Sequence, residues 1–298
     1  MRRFRGWLLL LVATSLAAQD TIHVAVAGRD VAFWKPAGRA PAEGYPVVLF
    51  SHGFTGCNTQ SVFLMKALAN AGYLVLAPNH KDARCGTARG QAHAGNTGYF
   101  LTTHPEAPFA NAARWSDTTY RERAADLKAV LDAVENSRSF QGTSADLHRI
   151  GLAGHSLGGY TVLGLAGAWP SWKDNRVKAV LALSPYCAPY VDHGDLGHIG
   201  APLMYQGGTL DLGISPSVHR LGGCYDRSSS PKYYVEFTGA GHFAWTDLNP
   251  RFQSLISSYS VAFFDDYLKG DGSPNRLTPL IGTPPPRGVA TIKVAPVQ

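Results

Sequence analysis

A serine, a histidine and an aspartate in this 298-residue sequence each follow an apolar segment at a turn, and together they could perform nucleophilic catalysis. Ser156 is the central residue of GHSLG, which fits the G-x-S-x-G pattern of a nucleophile held on a sharp strand-to-helix turn. A serine hydroxyl is a weak nucleophile near neutral pH, so it needs a base within hydrogen-bond reach and a third group to orient that base. The alternative is a glycine-rich turn without chemistry.

His242 and Asp211 are the predicted partners of Ser156. His242 lies in the glycine-rich turn TGAGHFAW, directly after the last predicted strand of the core. Asp211 follows the preceding strand, PLMYQGG. Asp226 and Asp247 are the alternatives for the acid, although Asp247 comes after the histidine in the chain. This chemistry requires no cofactor and no metal ion.

An acyl-transfer site also needs hydrogen-bond donors for the oxyanion of the tetrahedral intermediate. We expect the backbone N–H of Leu157 to be one donor, because it opens the helix after Ser156, where the helix dipole favours negative charge. The second is expected from Phe54, in the loop after the strand PVVLFSHG. His52 and His155 are interpreted as structural residues beside these two loops.

The elements that position these residues alternate between strands and helices. Residues 21–34 predict one or two strands, and six further strands are predicted in PVVLFSHG, YLVLAPNH, RIGLAGHS, VKAVLALSP, PLMYQGG and KYYVEFTGAG. Helices are predicted at residues 59–71, at 157–168, at 252–269 and from a cap at Ser116 or Asp117 to about residue 136, and a proline-rich tail follows the last of them. This alternation predicts an α/β protein with a mostly parallel central sheet of about eight strands and helices on both faces.

Ligands of such sheets bind beyond the carboxyl ends of the strands. The polar residues of the sequence fall there, in Ser51-His52-Gly53-Phe54, Asn79-His80, His155-Ser156, Ser184-Pro185-Tyr186, residues 208–211 and Gly241-His242. We therefore expect the serine, the histidine and the aspartate to meet at this edge.

The N-terminus has the composition of an export signal. Arg2, Arg3 and Arg5 precede a short apolar segment and then small residues, which predicts a signal peptide at residues 1–18 and a single catalytic domain at 19–298. An uncleaved anchor is the alternative, although the apolar segment is shorter than the roughly 20 residues of a membrane span. Removing these three arginines lowers the net charge from +6 to about +3. The sequence has no basic cluster interleaved with aromatic residues, so nucleic-acid binding is not predicted. The predicted location is secreted or periplasmic.

Four cysteines in an exported chain suggest two disulfides, and the sequence alone allows three pairings. Histidines and aspartates also cluster at residues 80–104 and 192–198, but without the close spacing of metal ligands, so no metal site is predicted. Residues 81–115 form a long segment without clear periodicity, and whether they act as a lid stays open.

The chain resembles α/β-hydrolase-fold serine esterases, in the branch with dienelactone-hydrolase-like proteins, bacterial relatives of platelet-activating factor acetylhydrolase and cutinase-like polyester hydrolases. The resemblance covers residues 46–270 and rests on SHGFTG, GHSLGGYTVLGLAGA, GGTLDLGISP, GAGHFAW and YSVAFFDDYLKGD. It implies an α/β-hydrolase fold and a carboxylic-ester hydrolase acting through an acyl-enzyme on small or polymeric esters. It also implies that Tyr186 and Phe54 contact the substrate. Ser156 argues against dienelactone hydrolase activity, which uses a cysteine.

The fold implied by the resemblance selects the pairs Cys57–Cys85 and Cys187–Cys224, because each pair follows strands whose loops can meet. Alternatives with the same three catalytic residues are a lipase or phospholipid acetylhydrolase, an acyltransferase and a peptidase. A non-catalytic binding protein on this fold is the remaining alternative.

Overall fold

A single sheet organises the molecule. The computed structural model describes residues 20–36, 38–84, 104–270, 276–282 and 284–295. Its strands are β1 (Ile22–Val26), β2 (Arg29–Trp34), β3 (Tyr45–Ser51), β4 (Leu74–Pro78), β5 (Ser139–Phe140), β6 (Thr143–His155), β7 (Val177–Leu183), β8 (Leu203–Gly208), β9 (Lys232–Phe237) and β10 (Val289–Ala295).

The strand order is β1-β2-β4-β3-β6-β7-β8-β9-β10, with β5 paired to β6 beside this path. The strands from β4 to β9 in this order pair in parallel, whereas β1, β2 and β10 add antiparallel pairs at the two edges. The mostly parallel sheet is confirmed. The predicted number of about eight strands is too low, because the described part of the chain has ten.

The two additional strands have different origins. The short strand β5 makes a tight antiparallel turn into β6 through Phe140 and Thr143. Strand β10 comes from the proline-rich tail, for which no strand was predicted, and it pairs antiparallel with β9. An edge strand that is half exposed and lies between proline-rich segments gives little signal in the sequence.

Helices cover both faces of the sheet. They are α1 (Val62–Asn70), α2 (Arg121–Ser137), α3 (Leu157–Leu163), α4 (Ala188–Asp192), α5 (Ser215–His219), α6 (Cys224–Arg227) and α7 (Gln253–Phe264). Helices α3 and α7 continue into π-helical turns at Gly164–Ala168 and Asp265–Lys269. Short 3₁₀ turns occur at Ala112–Arg114, Pro170–Trp172, Leu196–His198, His242–Trp245, Pro250–Phe252 and Thr278–Leu280.

The core consists of two apolar layers separated by the sheet. Val47 and Leu49 of β3 face the layer of α2 and α3, whereas Val48 and Phe50 face the layer of α1 and α7. Strand β3 is therefore buried on both faces, which explains its continuous apolar sequence.

Helix α2 begins later than predicted. Ser116 and Thr119 close a turn on themselves, because the amide of Thr119 donates to the Ser116 carbonyl and the Thr119 hydroxyl accepts from the Ser116 amide. Tyr120 follows in the left-handed region, with φ 57°, and the helix starts at Arg121. The predicted caps Ser116 and Asp117 thus form the preceding turn instead.

Cys187 and Cys224 are joined by a disulfide, as predicted. The bond ties the loop after β7 to helix α6. The pair Cys57–Cys85 and the predicted signal peptide stay predictions, because Cys85 and residues 1–18 lie outside the described residues. Among the helices that the structure describes, none combines the length and the apolar character needed to cross a membrane.

Candidate active site

Ser156 lies on the turn between β6 and α3, in a backbone conformation that side-chain-bearing residues rarely adopt. Its φ is 55° and its ψ is −115°. The surrounding glycines are required by space: a β-carbon on Gly154 would lie 2.2 Å from the Gly158 carbonyl oxygen, and one on Gly158 would lie 1.9 Å from the Ser51 carbonyl oxygen. The strained conformation at Ser156 therefore depends on close backbone packing, as is common at functional sites.

His242 and Asp211 lie next to Ser156 in the structure, and the order along the chain is Ser156, Asp211, His242. Nε2 of His242 lies 2.9 Å from Oγ of Ser156, and Nδ1 of His242 lies 3.2 Å from Oδ1 of Asp211. His242 opens the 3₁₀ turn after β9, and Asp211 lies three residues beyond the end of β8. The histidine ring thus bridges the hydroxyl and the carboxylate.

Two further serines surround the carboxylate. The hydroxyl of Ser184 donates to Oδ2 of Asp211, and its oxygen lies 2.9 Å from Nδ1 of His242. The hydroxyl of Ser215, at the start of α5, also contacts Oδ2, at 3.1 Å. Burial alone would raise the pKa of Asp211, but the hydrogen bond and charge of His242, together with the two hydroxyls, outweigh burial and lower it. Asp211 is thus held as a carboxylate.

The loop after β3 is fixed by hydrogen bonds to its backbone. The carbonyl of Gly53 accepts from Nδ1 of His52 at 2.8 Å, from the Gly56 amide at 3.0 Å and from Arg123 at 3.2 Å. In a trans peptide the C=O and the following N–H point in opposite directions. The N–H of Phe54 is therefore directed away from His52 and Arg123.

Arg123 is a fully buried cation beneath this loop. Its guanidinium donates to both carboxylate oxygens of Asp82, at 3.0 and 2.8 Å, and to the His52 carbonyl at 2.7 Å. Oδ2 of Asp82 in turn accepts from the amide of Thr55, at 3.1 Å. Burial alone would raise the pKa of Asp82, but the guanidinium of Arg123 outweighs burial and lowers it. This ion pair connects α2 to three consecutive peptide groups of the loop.

We predict that Arg123→Met destabilises the fold by about 3–5 kcal/mol, because it leaves the largely buried Asp82 carboxylate without its partner. The measurement is the free energy of unfolding in urea. Arg121→Met is the matched control on the same helix, since its ion pair with Asp117 is exposed and such pairs contribute roughly 0–1 kcal/mol.

The difference in the free energy of unfolding between the wild type and Arg123→Met should become smaller as the pH is lowered. In the wild type the lowered pKa of Asp82 means that its contribution to stability is present above the unfolded pKa, about 3.9, and is lost as the pH falls. In the variant, burial raises the pKa of Asp82, because the guanidinium is absent. The destabilisation caused by the unpaired carboxylate is therefore lost once this carboxyl is protonated. The assigned role would be contradicted if Arg123→Met were destabilised equally at pH 4 and pH 7, or if it were destabilised no more than Arg121→Met.

An apolar cleft opens above Ser156. It has a volume of about 510 Å³, and its walls include Phe54, Phe109, Leu210, Leu212, Ile214 and Phe243. Leu210, Leu212 and Phe243 are 64%, 76% and 58% exposed, so apolar side chains border the opening of the cleft.

Phe109 occupies the position expected of Tyr186. Its ring packs against Phe54, with centroids 5.4 Å apart, and against Tyr186, at 5.0 Å. Tyr186 is buried behind Phe109 and donates its hydroxyl to the Phe109 carbonyl, at 2.8 Å. Phe109, from the long segment between β4 and α2, thus lies between Phe54 and Tyr186, and Phe109 lines the cleft in place of Tyr186.

Residues that sequence reasoning treated as alternatives have other partners. Asp226 is an exposed residue of helix α6 and accepts from the Gly222 amide, whereas Asp247 accepts from the Val62 and Phe63 amides at the start of α1. His80, from the first histidine cluster, contacts Ser51 and Asp126 in the protein interior.

Sequence reasoning missed Arg123, Ser184 and Gln60. Arg123 had a signal, because it precedes Leu127 by one helical turn and therefore falls on the apolar stripe of α2. Ser184 was noted only as a polar residue at the edge of the sheet. Gln60 was assigned to a helix that in fact begins at Val62, which leaves Gln60 in the loop before it.

The sheet, the strained turn and the order of these residues define the class: the chain has the α/β-hydrolase fold. The profile of the family described as platelet-activating factor acetylhydrolase, isoform II, matches residues 9–98. This region includes Phe54 but ends before Ser156.

Curated relatives of the chain are mostly cutinases. Cutinase 2 of Thermobifida cellulosilytica is 31% identical over 152 residues, which cover 50% of this chain and 53% of the relative. Cutinase est2 of Thermobifida alba is 25% identical over 230 residues, or 76% of this chain and 61% of the relative. Chlorophyllase type 0 of Chenopodium album is 24% identical over 211 residues, or 68% and 53%.

The chain thus spans about half the length of the first of these relatives. Together, these similarities confirm the resemblance to the branch of α/β-hydrolases that contains cutinases and platelet-activating factor acetylhydrolases.

Proposed function

We propose that the protein is a serine carboxylic-ester hydrolase with Ser156, His242 and Asp211 as its catalytic residues. The observation that carries the proposal is the continuous contact from Oγ of Ser156 through the ring of His242 to Oδ1 of Asp211, at 2.9 and 3.2 Å. The resemblance to cutinases and to platelet-activating factor acetylhydrolase supports the same chemistry.

In the first half of the reaction, His242 removes the proton from Ser156 as the hydroxyl attacks the ester carbonyl. The amides of Phe54 and Leu157 stabilise the tetrahedral oxyanion, and one such donor contributes about 3–4 kcal/mol to lowering the barrier. The fixed carbonyl of Gly53 supports this role of Phe54, and the position at the start of α3 supports that of Leu157. His242 then protonates the leaving alcohol.

In the second half, His242 activates a water molecule that attacks the acyl-enzyme on Ser156. The same two amides stabilise the second oxyanion, and His242 returns the proton to the Ser156 oxygen as the acid leaves. Asp211 keeps the ring of His242 in the tautomer that can accept a proton at Nε2 and stabilises the imidazolium. These steps require only side chains and backbone amides of the protein, and water.

The substrate we propose is an ester with an apolar acyl group, either small or at the surface of a polymer. The cleft of about 510 Å³ is in the range of small-molecule sites. Its exposed apolar border would suit a substrate larger than the cleft itself, and the relatives named cutinases favour a polyester. Phe54 and Phe109 are the proposed acyl contacts, with Tyr186 supporting Phe109 from behind.

We also propose that the enzyme is exported to an oxidising compartment. The arginines and the apolar segment of the first 18 residues support this, and so does the disulfide Cys187–Cys224, since such bonds are rare in reducing compartments.

A panel of p-nitrophenyl esters from acetate to palmitate, with a polyester film, tests the proposal. We expect turnover of the panel with higher kcat/KM for acetate and butyrate than for palmitate, because a cleft of about 510 Å³ encloses a short acyl chain better than a long one, and release of soluble products from the film. Preference for a phospholipid with a short acyl chain would favour an acetylhydrolase, and transfer to an added alcohol in place of water would favour an acyltransferase. Binding of esters without turnover would identify a non-catalytic protein.

A further inference from the structure

A chain of hydrogen bonds links the loop of Phe54 to the backbone of His242. The amide of Gly53 donates to Oε1 of Gln60 at 2.9 Å, and Nε2 of Gln60 lies 3.0 Å from Nδ1 of His155. Nε2 of His155 lies 2.9 Å from the carbonyl oxygen of His242. The two ends of the chain are backbone groups, and both linking side chains lie between the two loops.

Only one arrangement of protons satisfies this chain. The Gly53 amide can only donate, so it fixes the oxygen of Gln60 on its own side and turns the amide N–H₂ towards His155. Nδ1 of His155 must then accept, and the ring proton is on Nε2. That proton is donated to the carbonyl of His242, which can only accept. The backbone thus fixes both the orientation of the glutamine and the tautomer of the histidine.

The surroundings of His155 keep the ring neutral. Its side chain is buried, its ring lies 4.9 Å from the ring of His242, and it stacks at 6.3 Å on Trp245. Burial, with a smaller contribution from His242, lowers the pKa of His155 to about 3. A neutral ring with a lone pair on Nδ1 is the state that the chain of bonds requires.

The chain of hydrogen bonds connects groups whose relative positions matter for catalysis. Gly53 directly precedes Phe54, His155 directly precedes Ser156, and the last acceptor is the backbone of His242 itself. We propose that Gln60 and His155 are positioning residues. They hold the loop of Phe54 after β3 and His242 at a fixed separation across Ser156. This inference rests on the proposed function, because it assigns a role in the same reaction.

The first test is Gln60→Leu, which removes the hydrogen bonds of the glutamine to Gly53 and His155 with little change in size. We expect kcat and kcat/KM to fall together by about 10- to 100-fold with KM nearly unchanged, because small displacements of reacting groups cost rates of this order. Gln253→Leu, at the first residue of α7, is the matched control and should retain normal rates. Unchanged kcat in Gln60→Leu, or a rise in KM alone, would overturn the proposal.

The second test reads the tautomer directly and does not depend on turnover. In the wild type, ¹⁵N NMR of His155 should give a protonated Nε2 and an unprotonated Nδ1. In Gln60→Glu the carboxylate still accepts from Gly53 but cannot donate to His155, so Nδ1 should gain a proton while Nε2 keeps the one that it donates to the His242 carbonyl. A wild-type ring with its proton on Nδ1, or no change in Gln60→Glu, would contradict the assigned chain.

The two readouts separate failure of this inference from failure of the proposed function. A wild type that hydrolyses no ester, with the expected tautomer, would refute the proposed function and with it the role in catalysis. An active wild type whose Gln60 variants retain full rates would refute only the positioning role.

Discussion

Ser156→Ala is expected to abolish labelling by a fluorophosphonate and to lower kcat for p-nitrophenyl butyrate by about 10⁴- to 10⁶-fold. The hydroxyl is the atom that would bond to the acyl group, and Nε2 of His242 lies 2.9 Å from it. Residual turnover should remain above the uncatalysed rate, because the oxyanion donors and the cleft are unchanged. Mass spectrometry of the intact protein with reagent, and stopped-assay kinetics, measure the two effects.

Stability separates loss of the nucleophile from loss of the fold. Ser156→Ala keeps a β-carbon in the same strained backbone, so its melting temperature should stay close to that of the wild type. Ser258→Ala, which removes an exposed hydroxyl on α7, is the matched control for both assays. If Ser156→Ala is labelled as strongly as Ser258→Ala, the nucleophile is a different residue.

Asp211→Asn has the second largest expected effect, a fall in kcat of about 10⁴-fold. Oδ1 of the carboxylate lies 3.2 Å from Nδ1 of His242, and Oδ2 accepts from the hydroxyls of Ser184 and Ser215. An amide at this position can present N–H to Nδ1 and so place the histidine proton on Nε2, where it blocks removal of the proton from Ser156. The pH–rate profile and kcat of the variant measure this effect.

The other acids provide the comparison for Asp211. Asp226→Asn changes an exposed side chain on α6 and should leave kcat within about twofold, since surface substitutions of this kind have small effects. Comparable losses in Asp226→Asn and Asp211→Asn would indicate a general effect on folding. Near-normal activity of Asp211→Asn would move the orienting acid elsewhere.

The sequence predicted the central elements of the fold well. Apolar segments such as PVVLFSHG are buried on both faces, and this leaves a continuous hydrophobic pattern that identifies parallel strands. The edge strand β10 was not predicted and the predicted start of α2 was wrong, because the local signals were weak or misleading. Ser116 has the chemistry of a helix cap, but its hydrogen bonds are used within the preceding turn.

The three residues proposed for catalysis could be found in the sequence because each follows a strand at the same edge of the sheet. The residues that support them could not be found in this way. The contact of Gln60 with His155 joins positions 95 residues apart, and that of Arg123 with Asp82 joins positions 41 apart. Such pairs depend on tertiary structure, and no single-sequence pattern relates their spacing. Only the charge of Arg123 on an apolar helical stripe gave a local indication.

The close packing around Ser156 also limits how this protein can change during evolution. With Gly154 and Gly158 each in contact with neighbouring backbone, no larger residue can enter the turn without moving a strand. New substrate preferences can arise more readily at the exposed border of the cleft, where Leu210, Leu212 and Phe243 have space for replacement. A mutational library would tolerate wide variation at these three positions and almost none at the two glycines. Because the variable border and the constrained turn are different parts of the site, selection can change which substrates the cleft admits while the reacting groups stay in place.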